Sequence, residues 1–140
     1  MILIDTNILA RYLLDDIPDQ SERSRQLFQR ASRGETEIFI PTTAVSELTW
    51  LLIKQKGYPK EVVIELLLDL FRISAVLIEN YRAVVNALRL LNEVNGPSFV
   101  DCYHLTLAEE LGMTQIYSFD RKMDRYPGIE RIEPEFPQNV

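Results

Sequence analysis

Short apolar runs recur along this chain at separations that suit one fold class well. Ile2 to Ile4, Ile38 to Ile40, Ala75 to Ile78 and Ile116 to Ser118 read as strands, with a weaker candidate around Arg131 and Ile132. The stretches between them carry helical periodicity. Strands joined through helices pair in parallel, because each connection must cross the sheet, and the crossing helices then cover its faces. The expected fold is therefore α/β and Rossmann-like: a central four- to five-stranded, mainly parallel sheet flanked by helices. At 140 residues it should be a single domain, 1–140, large enough for one core. Ile2, Leu3 and Ile4 lack polar alternation, which is the pattern of a strand buried on both faces.

The helices are bounded by ordinary signals. The first runs from about Ile8 to Leu14 and stops before the acidic turn Asp15-Asp16-Ile17-Pro18. A second, about Asp19 to Ser32, should bury Leu27, Phe28 and Ala31 and end at Gly34. A third follows Pro41, ends near Gly57 and buries Ala44, Val45, Leu48, Leu51 and Leu52. The helix Glu61 to Phe71 is apolar nearly all round, with only Glu61, Glu65 and Asp69 as a polar stripe, so it should be covered on more than one side. Asn80 reads as the cap of the next helix, and Ser98-Phe99-Val100-Asp101 fits a capping box ahead of the last one.

Four acids stand out against this frame. Asp5 ends the first strand, where α/β sheets bind ligands, and Thr6 and Asn7 follow it. Capping of the first helix is the competing role for Asp5. Glu47 has Thr43, Ala44, Trp50 and Leu51 as helical neighbours, so it projects near a face that should be apolar, where an unpaired carboxylate is costly. Reaching solvent at the edge of that face is the alternative. Asp101 serves the capping box or a site. Ile116-Tyr117-Ser118-Phe119-Asp120 repeats the opening device of an apolar run ending in a carboxylate. Parallel topology would bring Asp5, Glu47, Asp101 and Asp120 toward one edge of the sheet. Carboxylates gathered there repel one another without a cation, and oxygen-only ligands select Mg²⁺ or Mn²⁺. Such an ion activates water for phosphodiester hydrolysis.

These motifs together resemble a PIN domain: Asp5-Thr6-Asn7 after an amino-terminal apolar strand, Glu47 in a Val-Ser-Glu-Leu context, Asp101 followed by Cys-Tyr-His, and Ser118-Phe119-Asp120-Arg121-Lys122. Within that family the chain is most similar to the VapC toxins of toxin–antitoxin pairs. The resemblance spans essentially the whole chain and implies a PIN-like fold. It also implies a ribonuclease specific for single-stranded RNA, homodimeric and inhibited by a small cognate antitoxin. Asp5, Glu47, Asp101 and Asp120 would form the Mg²⁺ site, and Thr6, Asn7 and Ser118 would orient the acids or the attacking water. Asp124 is a candidate extra acid beside the site, or a solvated loop carboxylate. Cys102 stands where the family commonly has Ala.

Composition narrows the partners. A net charge of −6 argues against a protein that coats nucleic acid non-specifically. Arg121, Lys122 and Arg125 form one of the few basic clusters and are candidate RNA phosphate contacts. No apolar run is long enough for a membrane helix, and no signal peptide pattern opens the chain, so a cytoplasmic protein is expected. Cys102, the single cysteine, should serve packing. Other Asp-centred folds fit less well. A haloacid-dehalogenase-type phosphatase needs an Asp where Asn7 stands, and a receiver domain needs one after the strand that ends in Glu79-Asn80. The remaining alternative is a non-catalytic PIN-like binding module.

Overall fold

The computed structural model describes residues 1–137. Strands form at all five of the runs read from the sequence: β1 (Ile2–Leu3), β2 (Ile38–Ile40), β3 (Val76–Ile78), β4 (Gln115–Tyr117) and β5 (Glu130–Ile132). Among the described residues six α-helices accompany them: α1 (Thr6–Leu14), α2 (Pro18–Ser32), α3 (Thr42–Thr49), α4 (Lys60–Leu70), α5 (Tyr81–Glu93) and α6 (Phe99–Glu110). The chain divides into two compact units, one from Met1 to Tyr81 and one from Arg82 onward.

In the first unit, β1, β2 and β3 form a parallel sheet in that order, with Ile2 opposite Ile38, Ile38 opposite Val76 and Ile40 opposite Ile78. In the second, β4 and β5 pair in parallel, with Ile116 opposite Arg131. The α/β class and the parallel pairing match expectation. The strands are recorded as ladders of three and two, where one sheet of four to five was expected. The first strand differs too: Ile2 and Leu3 are 51% and 62% exposed, and only Ile4 is buried. β1 is a two-residue strand at the edge of its ladder, so an apolar run misled as to burial.

Local chemistry explains the helix ends. Asp5 caps α1, and Asp15 ends it in the left-handed conformation at φ 52°, a role usually taken by Gly or Asn. Pro18 opens α2, where its missing N–H costs nothing. The buried face of α2 is Ser21, Ser24, Phe28 and Ala31, with Leu27 only half-buried. Its small serines let α1 approach, and Tyr12 packs on Phe28 with ring centroids 4.3 Å apart. Ile38, Ile40, Val45, Leu48 and Leu67 lie fully buried in this unit. α4 buries Val63, Ile64, Leu67 and Leu70, while Val62 and Leu66 are exposed beside the stripe of Glu61, Glu65 and Asp69.

The second unit packs α5 through Ala83, Val84, Ala87 and Leu88. Thr106 on α6 donates its hydroxyl to the Ala83 carbonyl at 2.8 Å, and Cys102 is fully buried, as a packing residue should be. Among the described residues no helix is long and apolar enough to cross a membrane.

Candidate active site

Asp5 forms the helix cap read for it and also lines a cavity. Its Oδ1 accepts hydrogen bonds from the backbone N–H groups of Asn7 (3.1 Å) and Ile8 (3.3 Å), which caps α1 and leaves Oδ2 outside the cap. The same side chain lines a cavity of about 320 Å³ with Thr6, Asn7, Glu47, Trp50 and Leu51. Thr6 is the link to α3: its hydroxyl donates to Glu47 Oε2 at 2.7 Å, 41 residues along the chain. Asn7 also lines a second cavity, of about 380 Å³, with Arg11, Gln20 and Arg23.

Glu47 is exposed, which corrects the expectation of a carboxylate beside an apolar face. The helix turns Ala44, Val45, Leu48 and Thr49 inward and keeps Glu47 on the cavity side, so no burial cost has to be offset. After Thr49 the helix widens into a π-helical turn, Trp50–Gln55, in which the Lys56 N–H reaches the Leu51 carbonyl five residues back at 2.9 Å. Such turns are rare and often accompany functional sites. The sequence did not signal it, because no residue type demands this hydrogen-bond pattern.

In the second unit Asp101 completes the expected capping box. Its Oδ2 accepts from the Ser98 N–H at 3.0 Å, while Ser98 Oγ accepts from the Asp101 N–H at 3.3 Å. Asp120 precedes a short 3-10 turn, Arg121–Arg125, and its Oδ1 accepts from the Lys122 N–H at 3.0 Å. Ser118 Oγ accepts from the Asp120 N–H at 3.0 Å, so this serine shapes the loop that carries the acid. Arg131, not singled out in the sequence, braces the same loop: it donates to the Ser118 carbonyl at 2.9 Å and to Asp124 Oδ1 at 2.8 Å. Hydrogen bonds to Asp124, then to Glu133, raise its pKa above the usual arginine value. Asp124 is thus committed to Arg131.

The basic cluster is less uniform than its sequence suggests. Arg121 and Lys122 are exposed, with Lys122 Nζ 4.0 Å from Asp120 Oδ2. Arg125 instead donates to the backbone carbonyl of Asn95, ahead of Gly96 at φ 107°. It holds a turn, which qualifies it less well as a phosphate contact.

The four acids fall two in each unit, Asp5 and Glu47 in the first, Asp101 and Asp120 in the second. Within either unit, the described residues include no group of three or more His, Cys, Asp or Glu arranged to hold a metal ion. The donor chemistry nevertheless suits a hard divalent cation. All four are carboxylates; the hydrogen bonds just described engage one oxygen of each, and Lys122 Nζ stands 4.0 Å from the other oxygen of Asp120.

The PIN domain family matches residues 2–129, a span that includes all four acids. The chain belongs to the PIN domain family. It is also similar to a VapC ribonuclease of Aquifex aeolicus (strain VF5), at 23% identity over 134 residues, covering 96% of this chain and 97% of that protein. For a PIN domain, the Thr6–Glu47 hydrogen bond is informative. It ties the residue after Asp5 to Glu47 on α3, side chain to side chain.

Proposed function

We propose that this PIN domain, acting as one domain over residues 1–140, is a divalent-metal-dependent endoribonuclease that hydrolyses single-stranded RNA. We further assign it the role of toxin in a toxin–antitoxin pair, working in the cytoplasm. The observation that carries this reading is the cavity shared by Asp5 and Glu47, with Thr6 fixing Glu47 at 2.7 Å, in a chain of this family. The similarity to a VapC ribonuclease over nearly its whole length supports both the reaction and the toxin role.

In this proposal Asp5, Glu47, Asp101 and Asp120 hold Mg²⁺ or Mn²⁺. The bound cation would acidify a water molecule and neutralise charge on the phosphate. The chain's part is orientation. Thr6 fixes one oxygen of Glu47, the α1 N-terminus fixes one oxygen of Asp5, and Ser118 with Arg131 sets the loop that presents Asp120. Arg121 and Lys122 would contact RNA phosphates. The partners are single-stranded RNA, a second copy of the chain, and a small antitoxin that offers a basic residue to the acids.

The test is RNA cleavage and thermal stability, with Mn²⁺ and in excess EDTA, for the parent, Asp101→Asn and Glu47→Gln. The control is Asp19→Asn, whose partner Arg23 forms an exposed surface pair of little energetic worth. The parent and control should cut RNA only with metal and melt higher as Mn²⁺ rises, since an ion that binds only the folded state stabilises it. The two site variants should do neither. Equal cleavage in EDTA, or an undiminished Mn²⁺ response in both variants, would refute the assignment.

A further inference from the structure

Trp50 is the chain's only tryptophan, and it stands outside the core at 57% exposure. It lies three residues after Glu47, so the two share a helix face, and it forms part of the same cavity wall as Asp5, Thr6 and Asn7. The core beneath is already filled by Leu48 and Leu52, both at most 2% exposed, so the indole is not needed there. It sits at the first residue of the π-helical turn, where the chain leaves α-helical register.

A flat aromatic face left open beside two carboxylates discriminates between the parts of a nucleotide. The acids repel a bare phosphate, but a neutral base can stack on the indole and offer its edge N–H groups to carboxylate oxygens or to the Asn7 amide. Bases are available for such stacking only where they are unpaired.

We propose that Trp50 is the platform on which one unpaired base of the RNA stacks, a positioning residue that sets the neighbouring phosphate at the acids. The proposal rests on the nuclease reading for its substrate. It makes base capture independent of metal and selective for single strands. It also makes the interaction tolerant of sequence, since every base presents a π-face.

The experiment uses the intrinsic fluorescence of the full chain, in which all tryptophan emission comes from this one residue. 2′-O-methyl oligoadenylate and oligouridylate hexamers, each first checked by electrophoresis to survive uncut, are titrated in EDTA and in Mg²⁺, alongside a short duplex. Both single strands should quench Trp50 saturably in either buffer, and the duplex should not. By anisotropy of labelled strands, Trp50→Phe should bind within a few-fold of the parent. Trp50→Ala should bind roughly ten- to a hundredfold more weakly, the usual loss for one stacked base. In cleavage assays the alanine variant should raise KM far more than it lowers kcat. An alanine variant with parental affinity and KM, or a duplex that quenches as well as a single strand, overturns the platform. Failure of the underlying reading looks different. If the parent does not cut RNA with Mn²⁺ yet its emission is still quenched by single strands, the platform stands and the nuclease falls.

Discussion

Single side chains here do two jobs, and substitutions can separate them. Asp5 caps α1 and faces the cavity with the oxygen the cap does not use. Asn caps as well as Asp, whereas Ala costs about 1 kcal/mol at such a position. Asp5→Asn should therefore abolish cleavage while leaving the melting temperature of the metal-free protein unchanged or slightly raised. Asp5→Ala should abolish cleavage and also lower that temperature, so paired melting curves without metal check the division. The basic cluster divides in a similar way. Arg121→Ala should weaken RNA binding alike for all sequences and flatten its salt dependence, because phosphate contacts release counterions without reading bases. Arg125→Ala should instead lower stability, since its guanidinium holds the Asn95 carbonyl, and leave the salt slope as it is. Binding measured across a salt series, beside thermal melts, distinguishes the two. The sequence marked both arginines as phosphate contacts because it shows charge and proximity but not what each guanidinium is already bonded to.

At the scale of elements, the parts written in local chemistry were the legible ones. The cap at Asp5, the capping box at Ser98 and Asp101, the polar stripe on α4 and the stop before Pro18 depend on a few adjacent residues, and all formed as expected. The exposure of β1 depends on what covers a strand, and the π-helical turn depends on a change of hydrogen-bond register; neither leaves a mark on composition. The acidic turn between α1 and α2 lies between these cases. Its acids were visible, but not that Arg11 would grip both oxygens of Asp16 at 2.9 Å while also reaching Gln20. Partial desolvation would raise the Asp16 pKa, but the hydrogen bonds and charge of Arg11 outweigh it and hold the carboxyl below its ordinary 3.8. A lowered folded pKa adds stability that is present above the unfolded value and lost as pH falls through the folded one. Asp16→Asn should therefore melt slightly below the parent at pH 7, and the gap should close in acid below the folded pKa. A gap that persists unchanged into strong acid would mean that the charge of Asp16 contributes nothing.

For the whole molecule, the order of the motifs carried the family, because Asp5 and Asp120 follow strands, Glu47 lies within one helix and Asp101 in the first turn of another, and that order needs no coordinates. Assembly is the part the sequence indicated only in outline. An α4 apolar nearly all round was expected to be covered on several sides; within the chain one face is covered, and Val62 and Leu66 remain 46% and 43% exposed one helical turn apart. Tyr58, just ahead of the helix, is 46% exposed as well. An apolar strip flanked by Glu61, Glu65 and Asp69 suits a two-fold contact between copies, because a self-complementary surface can bury the strip and leave the acids at its rim. A homodimer built on α4 should sediment as such at micromolar concentration. Val62→Lys with Leu66→Lys should convert it to a monomer with an unchanged helical circular dichroism spectrum, since both side chains point away from the buried face of Val63, Ile64, Leu67 and Leu70. A parent that sediments as a monomer, or a double variant that remains dimeric, would remove α4 from the interface.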